Sequence, residues 1–357
     1  MPSRDGHANR DTTPTRRRGG RGRHWSTLED DRLLDLRFCD LDLKIEGTML
    51  EQRIARLGDD LARKGITFRP RFWLSSEWFA PDGIGGMALP FYLAHPRLMR
   101  LEKKQMLAVE GGSENACQRI LRHETGHCID NAYRLHYRKQ WRQLFGSFAE
   151  PYPSFYTPKP GSRKYVQHLD RWYAQAHPAE DFAETFAVWL APGARWKQRY
   201  SGWPALRKLE YVDQLMREIG PQKPRVRTRR EVEPLHTLKS TLREHYREKR
   251  LLYAEEWPEF FDADLRKIFS ADQSLRDRPT AAQFLRRQRP HIRDTVSRWT
   301  GTHPYTIDQV LRDMIDRCKE LRLRLALPHD EAVTQSLIMV TVQTMNHVHS
   351  GNYMVPL

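Results

Sequence analysis

The chain has 357 residues, 39% of them hydrophobic, which is enough to bury a substantial core. Its 60 Lys and Arg outnumber its 45 Asp and Glu, and the formal charge of +15 favours acidic partners without naming a function. Four widely separated cysteines argue against a disulfide framework and against a cysteine-based zinc knot. Because no apolar run could span a bilayer and no signal-type segment is present, we expect a cytoplasmic protein without membrane contact.

Residues 1–24 are rich in Arg, with Gly, Pro, Thr and Ser making up much of the rest. This composition predicts a disordered basic tail, because it cannot bury enough apolar surface to offset the entropy lost on ordering. A solvated arm and an arm in weak contact with nucleic acid both fit its RRRGGRGR stretch.

Globular patterning begins at Trp25 and predicts a helix, a strand, a helix and two strands before the motif described below. The first helix is expected around LEDDRLLDLRF, and DLDLKIE then alternates apolar and polar residues as a half-buried strand does. Thr48 and Glu51 form the T-x-x-E capping pattern of a second helix, which Gly65 would end. The two remaining strands are predicted in ITFRPRFWLS and MALPFYLA.

Helical spacing of apolar residues recurs from about Ser113, the predicted N-cap, to Leu135. Two further helices are predicted in PAEDFAETFAVWL and PALRKLEYVDQLMREI. The Pro- and Arg-rich stretch that follows predicts a linker over residues 221–234. Only helical patterns come after it, including T-x-x-Q caps at Thr280 and Thr306, so residues 235–357 are expected to form a helical accessory domain.

The stretch LRHETGHCID places His123, Glu124 and His127 in the order His-Glu-x-x-His within a predicted helix. Residues four apart on a helix lie one turn above each other, so both imidazoles can bind one ion while Glu124 points toward a bound water. Zinc accepts neutral imidazoles, and a catalytic zinc site needs three protein ligands with a water in the fourth position. A third ligand must therefore come from elsewhere in the chain.

The stretch HPAEDFAETFAVWL offers two carboxylates, Glu180 and Glu184, on one face of a predicted helix. One can bind the metal, and the other can accept the free ring N–H of a ligand histidine, which fixes its tautomer. The spacing alone leaves the two interchangeable. An ordinary amphipathic helix with solvated acids is the alternative, and it predicts no link to the first motif.

HETGH, followed by EDFAETF with its first Glu 53 residues after His127, resembles the gluzincin metallopeptidases, where a Glu on a second helix is the third zinc ligand. The likeness is strongest to the bacterial group called putative zinc-binding metallopeptidases. It extends over roughly residues 30–220 and covers neither the tail nor the C-terminal third. The resemblance implies an α+β, zincin-like domain over residues 25–220, with a small mixed sheet packed on the active-site helix.

The resemblance also assigns a role to each candidate residue. It implies zinc as the cofactor, with His123, His127 and Glu180 as ligands, Glu124 as general base and Glu184 as the acceptor behind a ligand histidine. Lethal-factor-type gluzincins place a catalytic tyrosine seven residues before the ligand Glu, the position of Tyr173 here. Its phenol would donate a hydrogen bond to the oxyanion.

The expected reaction is peptide-bond hydrolysis, with Glu124 taking a proton from a zinc-bound water and passing it to the leaving amine. By analogy with related peptidases, MALPFYLA is the edge strand expected to pair with an extended substrate. A nucleic-acid-associated protein is the rival suggested by the basic charge. A zinc-stabilised interaction module without turnover is the other, although a structural site would need no base at Glu124.

Overall fold

This structure is a computed structural model, and it describes residues 25–153, 155–159, 161–253, 261–349 and 355–356. The predicted basic tail therefore lies outside the described residues. The described chain is mostly helical. Its α-helices are α1 (Asp30–Leu34), α2 (Met49–Arg63), α3 (Pro96–Met106), α4 (Glu114–Tyr133), α5 (Lys139–Phe145), α6 (Pro178–Leu190), α7 (Trp196–Arg199), α8 (Ala205–Ile219), α9 (Leu242–Leu252), α10 (Asp262–Ile268), α11 (Ala281–Thr300), α12 (Pro304–Glu320) and α13 (His329–His349).

The strands are short and pair two by two within the described residues. They are β1 (Arg71–Ser75) with β2 (Gly86–Pro90) in parallel, and two antiparallel pairs, β3 (Phe155–Tyr156) with β6 (Val355–Pro356) and β4 (Phe269–Ser270) with β5 (Arg324–Leu325). The main sheet, predicted to be mixed, is thus a two-stranded parallel one, extended only by an antiparallel bridge between Phe79 and Ala88.

The helices α4 and α6 form the centre of the first hydrophobic core. Ser113 caps α4 through its side chain, as predicted, and most of that helix is buried. Every residue of α6 after Pro178 is buried, so its acidic residues are enclosed together with its apolar ones. Gly126 allows the two helices to approach closely, because a Cβ at this position would lie 2.7 Å from the Cα of Ala183. This close approach sets the distance between the two predicted motifs.

The strand prediction for DLDLKIE is wrong. Residues 38–40 form a 3₁₀ turn, and Asp42 has a left-handed backbone with φ of 44°. Leu41 is nonetheless fully buried and Leu43 packs against the first core. The apolar alternation therefore comes from an irregular segment that packs on the core without a partner strand.

Two other helix starts differ from the sequence prediction. Helix α3 was not predicted, and it begins at a cap formed by the His95 imidazole, which accepts a hydrogen bond from the backbone N–H of Arg97. Thr280 is the N-cap of α11, as predicted. Thr306 is not an N-cap, because His303 caps α12 and the Thr306 hydroxyl instead donates to the carbonyl of Tyr253.

MALPFYLA is only half strand, since β2 ends at Pro90 and a 3₁₀ turn follows. Nor is β2 a free edge around Ala88, whose backbone N–H donates to the carbonyl of Phe79 at 2.8 Å on the side away from β1. The expectation that this strand pairs with substrate is therefore wrong at Ala88. The 76–85 connection folds back over the position that a substrate strand would need.

Residues 221–234, predicted as a linker, follow the surface of the first core. The carbonyl of Val232 accepts a hydrogen bond from the Trp73 indole, and that of Glu233 accepts one from the Ser75 hydroxyl. The backbone N–H groups of Arg225 and Val226 donate to the carbonyl at the C-terminal end of α4. This segment therefore lies against β1 and the end of α4.

The described residues form two large hydrophobic cores. The change from the first core to the second comes later in the chain than residue 235, where the helical domain was predicted to start. Leu242 and Tyr246 of α9 belong to the first core, with Tyr253 packed against it, whereas the second core begins at Phe261 and includes α10 to α13. We propose that the domain boundary lies between residues 253 and 261. In the described part of the chain, no helix combines the length and the apolar character needed to cross a membrane.

Candidate metal centre

Both histidines of the motif are presented by α4 toward α6. His123 is 2% exposed, and His127 lies one turn further along the same helix face with 14% of its side chain exposed. Their Nε2 atoms are 3.2 Å apart. The helical spacing therefore brings the two imidazole nitrogens to one point, as predicted.

Glu180 of α6 completes a triangle of ligand atoms. Its Oε2 lies 3.0 Å from Nε2 of His123 and 3.1 Å from Nε2 of His127. Tetrahedral ligands at about 2.0–2.1 Å from zinc are about 3.3–3.4 Å apart, close to the edges of this triangle. His123, His127 and Glu180 thus form a group that could hold a metal ion, with donor types that suit zinc.

Glu184 lies behind this triangle, one turn after Glu180 on α6. Its Oε1 is 2.9 Å from Nδ1 of His123, and its Oε2 accepts the backbone N–H of Leu169 at 2.8 Å. The residue is 0% exposed, and both carboxylate oxygens have partners. An acceptor at Nδ1 fixes the His123 tautomer so that Nε2 faces the other two donor atoms.

The electrostatics of this group favour a cation at its centre. Burial lowers the pKa of His123, but the hydrogen bonds that its ring donates to Glu180 and Glu184 raise it more, so the pKa lies well above the usual value. Burial raises the pKa of Glu180, but the two imidazoles lower it well below its usual range. Imidazoles and a carboxylate that favour a proton between them also favour a metal ion there. The metal displaces that proton when it binds.

Glu124, the predicted base, is adjacent to His123 and is 8% exposed. Burial raises the pKa of its carboxyl group, the neighbouring imidazoles lower it and Glu180 raises it again, and the net shift is upward. A carboxylate with a raised pKa is a better proton acceptor near neutral pH than an ordinary surface Glu.

Tyr173 reaches the same site from the segment that precedes α6. Its ring centroid lies 5.6 Å from that of His123, with the planes inclined by 54°. Burial and the charges of Glu180 and Glu124 raise the pKa of this phenol well above its usual value. The Tyr173 hydroxyl therefore stays protonated at neutral pH.

Tyr152 was not predicted to belong to the site. Its hydroxyl donates to Oε1 of Glu180 at 2.9 Å, leaving Oε2 for the two imidazoles. The Tyr152 ring stacks on His177 with 3.9 Å between centroids. His177 is itself fixed as the N-cap of α6, where Nδ1 accepts from the N–H of Ala179 and Nε2 donates to the carbonyl of Glu150.

No sequence pattern marks Tyr152, because it lies on the irregular segment after α5 with no fixed spacing to either motif.

Cys128 follows a motif histidine in sequence but is fully buried, and burial raises the pKa of its thiol well above the usual value. It is therefore a protonated core thiol. Asp130, one turn beyond His127, accepts from His136 at 2.7 Å and takes no part in the triangle.

Residues 119–193 match the family model described as "Putative zinc-binding metallo-peptidase". This range contains both motifs together with Tyr152 and Tyr173. A search of curated proteins found no match, and neither did a search of solved structures. The predicted likeness to putative zinc-binding metallopeptidases is thus confirmed over residues 119–193, the segment that carries His123, His127 and Glu180.

Proposed function

We propose that the first core, residues 25–253, is a zinc-dependent peptidase of gluzincin type that hydrolyses peptide bonds with Glu124 as general base. The triangle formed by His123, His127 and Glu180 supports this proposal most strongly, because its edges of 3.0–3.2 Å suit one small cation. The match of residues 119–193 to a metallopeptidase family supports the reaction class.

Zinc held by these three side chains would supply a Lewis acid that lowers the pKa of water toward neutrality and polarises a carbonyl group. Glu184 and Tyr152 orient the donor atoms, one behind His123 and the other on the second oxygen of Glu180. Each leaves the ligand atom directed at the centre of the triangle, so little reorganisation is needed on metal binding.

Glu124 would accept the proton of the attacking water and return it to the leaving amine. Burial raises the pKa of this carboxyl group above its usual value, which makes it a stronger proton acceptor than an ordinary Glu. Tyr173 would donate its phenolic hydrogen to the carbonyl oxygen as negative charge develops there. Burial of Glu124 and partial burial of Tyr173 strengthen these interactions, because water screens them less.

The roles can be separated by measuring zinc content and peptide hydrolysis on the same protein samples. Glu124→Gln removes the proton acceptor and none of the three donors, so we expect one zinc per chain and a loss of turnover of about 10²–10⁴-fold. Glu210→Gln, an exposed carboxylate on α8, is the matched control and should equal wild type. New peptide termini can be counted by mass spectrometry after incubation with a denatured proteome.

Full activity in Glu124→Gln would contradict the assignment of the base. A wild-type protein that binds one zinc and cleaves nothing would contradict the peptidase and favour a zinc-stabilised interaction module. Steep salt-dependent binding to nucleic acid that survives chelation would instead support the rival suggested by the charge.

A further inference from the structure

The segment that carries Tyr173 has an unusual backbone. Arg171 and Trp172, immediately before it, both have left-handed backbones, with φ of 59° and 55°. Consecutive residues other than glycine in this region are disfavoured by contacts of Cβ, and they persist only where the surroundings hold them. Contacts around Arg171 must therefore keep Tyr173 in place.

One set of these contacts comes from β3 and from α6. The carbonyl of Arg171 accepts a hydrogen bond from the Tyr156 hydroxyl at 2.9 Å. Two residues earlier, the backbone N–H of Leu169 is bound by Glu184. The segment is thus attached to the carboxylate that orients His123.

The other contact comes from the second core. Nε of Arg171 donates to the carbonyl of Gly301 at 3.2 Å, across 130 residues of sequence. Gly301 is the C-cap of α11, with a left-handed φ of 72°, at the turn into α12. The Arg171 side chain therefore joins the helical unit to the segment of Tyr173.

The turn that accepts this hydrogen bond is itself well fixed. Its His303 ring stacks on Tyr253 with 4.1 Å between centroids, and the Thr306 hydroxyl donates to the Tyr253 carbonyl. The Ser297 hydroxyl, on the last turn of α11, also donates a hydrogen bond to the carbonyl of Thr302 in this turn. A carbonyl held in this way can act as an anchor for the Arg171 guanidinium.

We propose that Arg171 is a positioning residue through which the C-terminal helical unit holds Tyr173 at the metal centre. The helical unit is then part of the catalytic apparatus and not a separate accessory, although none of its described residues is a ligand in the metal-binding group. This role rests on the proposed function, since it concerns the phenol that would stabilise the oxyanion.

The kinetic test compares Arg171→Ala with wild type. We expect kcat to fall about tenfold, with little change in KM or in zinc content, because the loss affects a group that acts in the transition state. Arg171→Lys keeps a donor for the Gly301 carbonyl and should recover part of the loss. Arg278→Ala is the matched control, since Arg278 also donates to a carbonyl of the helical unit, that of Ala326, and should leave kcat unchanged.

A double-mutant cycle then distinguishes positioning of Tyr173 from a general structural effect. If Arg171 acts through Tyr173, Arg171→Ala should cost nothing further, within about twofold, in a Tyr173→Phe background. Losses that multiply in the double variant would overturn the proposal. So would a wild-type kcat in Arg171→Ala when Tyr173→Phe is slow.

Hydrogen exchange in zinc-free protein gives a readout that does not depend on turnover. Backbone amides of residues 169–176 should exchange faster in Arg171→Ala than in wild type or Arg278→Ala. Unchanged exchange there would contradict the positioning role even in an active enzyme. Faster exchange in a protein without peptidase activity would support the contact while the proposed function fails.

Discussion

The α4–α6 pair and the α11–α12 pair are both closely packed, but they neutralise buried charge in different ways. Glu180 of α6 has two imidazoles and a phenol as its partners. Asp308 of α12, also fully buried, is bound by Arg289 and lies near two further arginines. Permanent cations complete the second site, whereas the first offers donor atoms that bind a proton or a metal.

This difference shows how a structural carboxylate can be told from a metal ligand. Even within α6 both kinds occur, since Asp181 is paired with Lys208 while its neighbour Glu180 faces the imidazoles. A buried acid with an arginine or lysine partner already has a counter-charge. A buried acid among imidazoles is complete only when a cation joins it.

The largest effect on stability is expected at the arginine-bound carboxylate. Asp308→Asn leaves its arginines without a buried counter-charge, and we expect the free energy of unfolding to fall by about 3–5 kcal/mol. Urea unfolding followed by circular dichroism measures this loss. Zinc affinity should not change, because none of the Asp308 contacts reaches the metal centre.

Asp294→Asn is the control, since it removes an exposed pair with Arg293 and should cost less than about 1 kcal/mol. Equal stability of the two variants would show that the arginine cluster does not hold α11 and α12 together.

The next largest effect is expected where α4 and α6 meet. In Gly126→Ala the added Cβ would lie 2.7 Å from the Cα of Ala183, so the helices must separate. Overpacking of this kind costs about 1–3 kcal/mol, and Glu180 should move away from the imidazoles with a loss of zinc affinity. Thermal unfolding and chelator competition measure the two effects.

Gly58→Ala in α2 is the matched control, because its nearest neighbour would be 3.8 Å away. There the substitution should stabilise the helix by about 0.5–1 kcal/mol. A Gly126→Ala variant with native stability and native zinc affinity would show that close helix contact is not required.

A smaller effect is expected for Tyr152→Phe, which removes the hydrogen bond to Oε1 of Glu180. Loss of a hydrogen-bond partner of a metal ligand usually lowers metal affinity by about 10–100-fold, and we expect a loss of about 10-fold here. The zinc dissociation constant, compared with that of Tyr137→Phe at an exposed tyrosine, measures it. Identical constants in the two variants would exclude Tyr152 from the site.

The smallest effect concerns acid stability of the turn at His303. Burial, together with Arg171, Lys249 and Lys103, lowers the pKa of this imidazole to about 3. Between pH 6.5 and 3 the unfolded chain binds a proton that the folded chain does not, so stability falls as the pH falls. The loss should stay below about 1.4 kcal/mol at pH 5.5 because His303 is partly exposed.

His303→Asn retains a helix-capping side chain without a titrating group, and the variant should lose less stability than wild type between pH 7 and pH 5.5. Equal pH slopes in urea unfolding would show that His303 is not held neutral by the fold.

Much of the fold around the metal centre could be predicted because its signals are local. Ser113 and Thr48 cap α4 and α2, and the apolar spacing of α6 was recognisable from the sequence. The wrong strand around Leu41 shows the limit, since period-two alternation describes burial and not strand pairing. Helix α3 was not predicted, and its cap is an imidazole, as are the caps of α6 and α12, a residue type outside the usual capping side chains.

The pattern of the candidate site was predictable for a different reason. His123 and His127 have a spacing fixed by the helix itself, but only the resemblance to a family chose Glu180 over Glu184. Tyr152 and the Arg171–Gly301 contact depend on how distant segments pack, and no local spacing encodes such contacts.

The most direct test of the metal centre is the zinc dissociation constant of Glu180→Gln, measured by chelator competition beside wild type and Glu184→Gln. We expect one tight site in wild type, a loss of roughly two orders of magnitude or more in Glu180→Gln, and a loss of about 10–100-fold in Glu184→Gln. Wild-type affinity in Glu180→Gln would contradict a zinc site built from His123, His127 and Glu180.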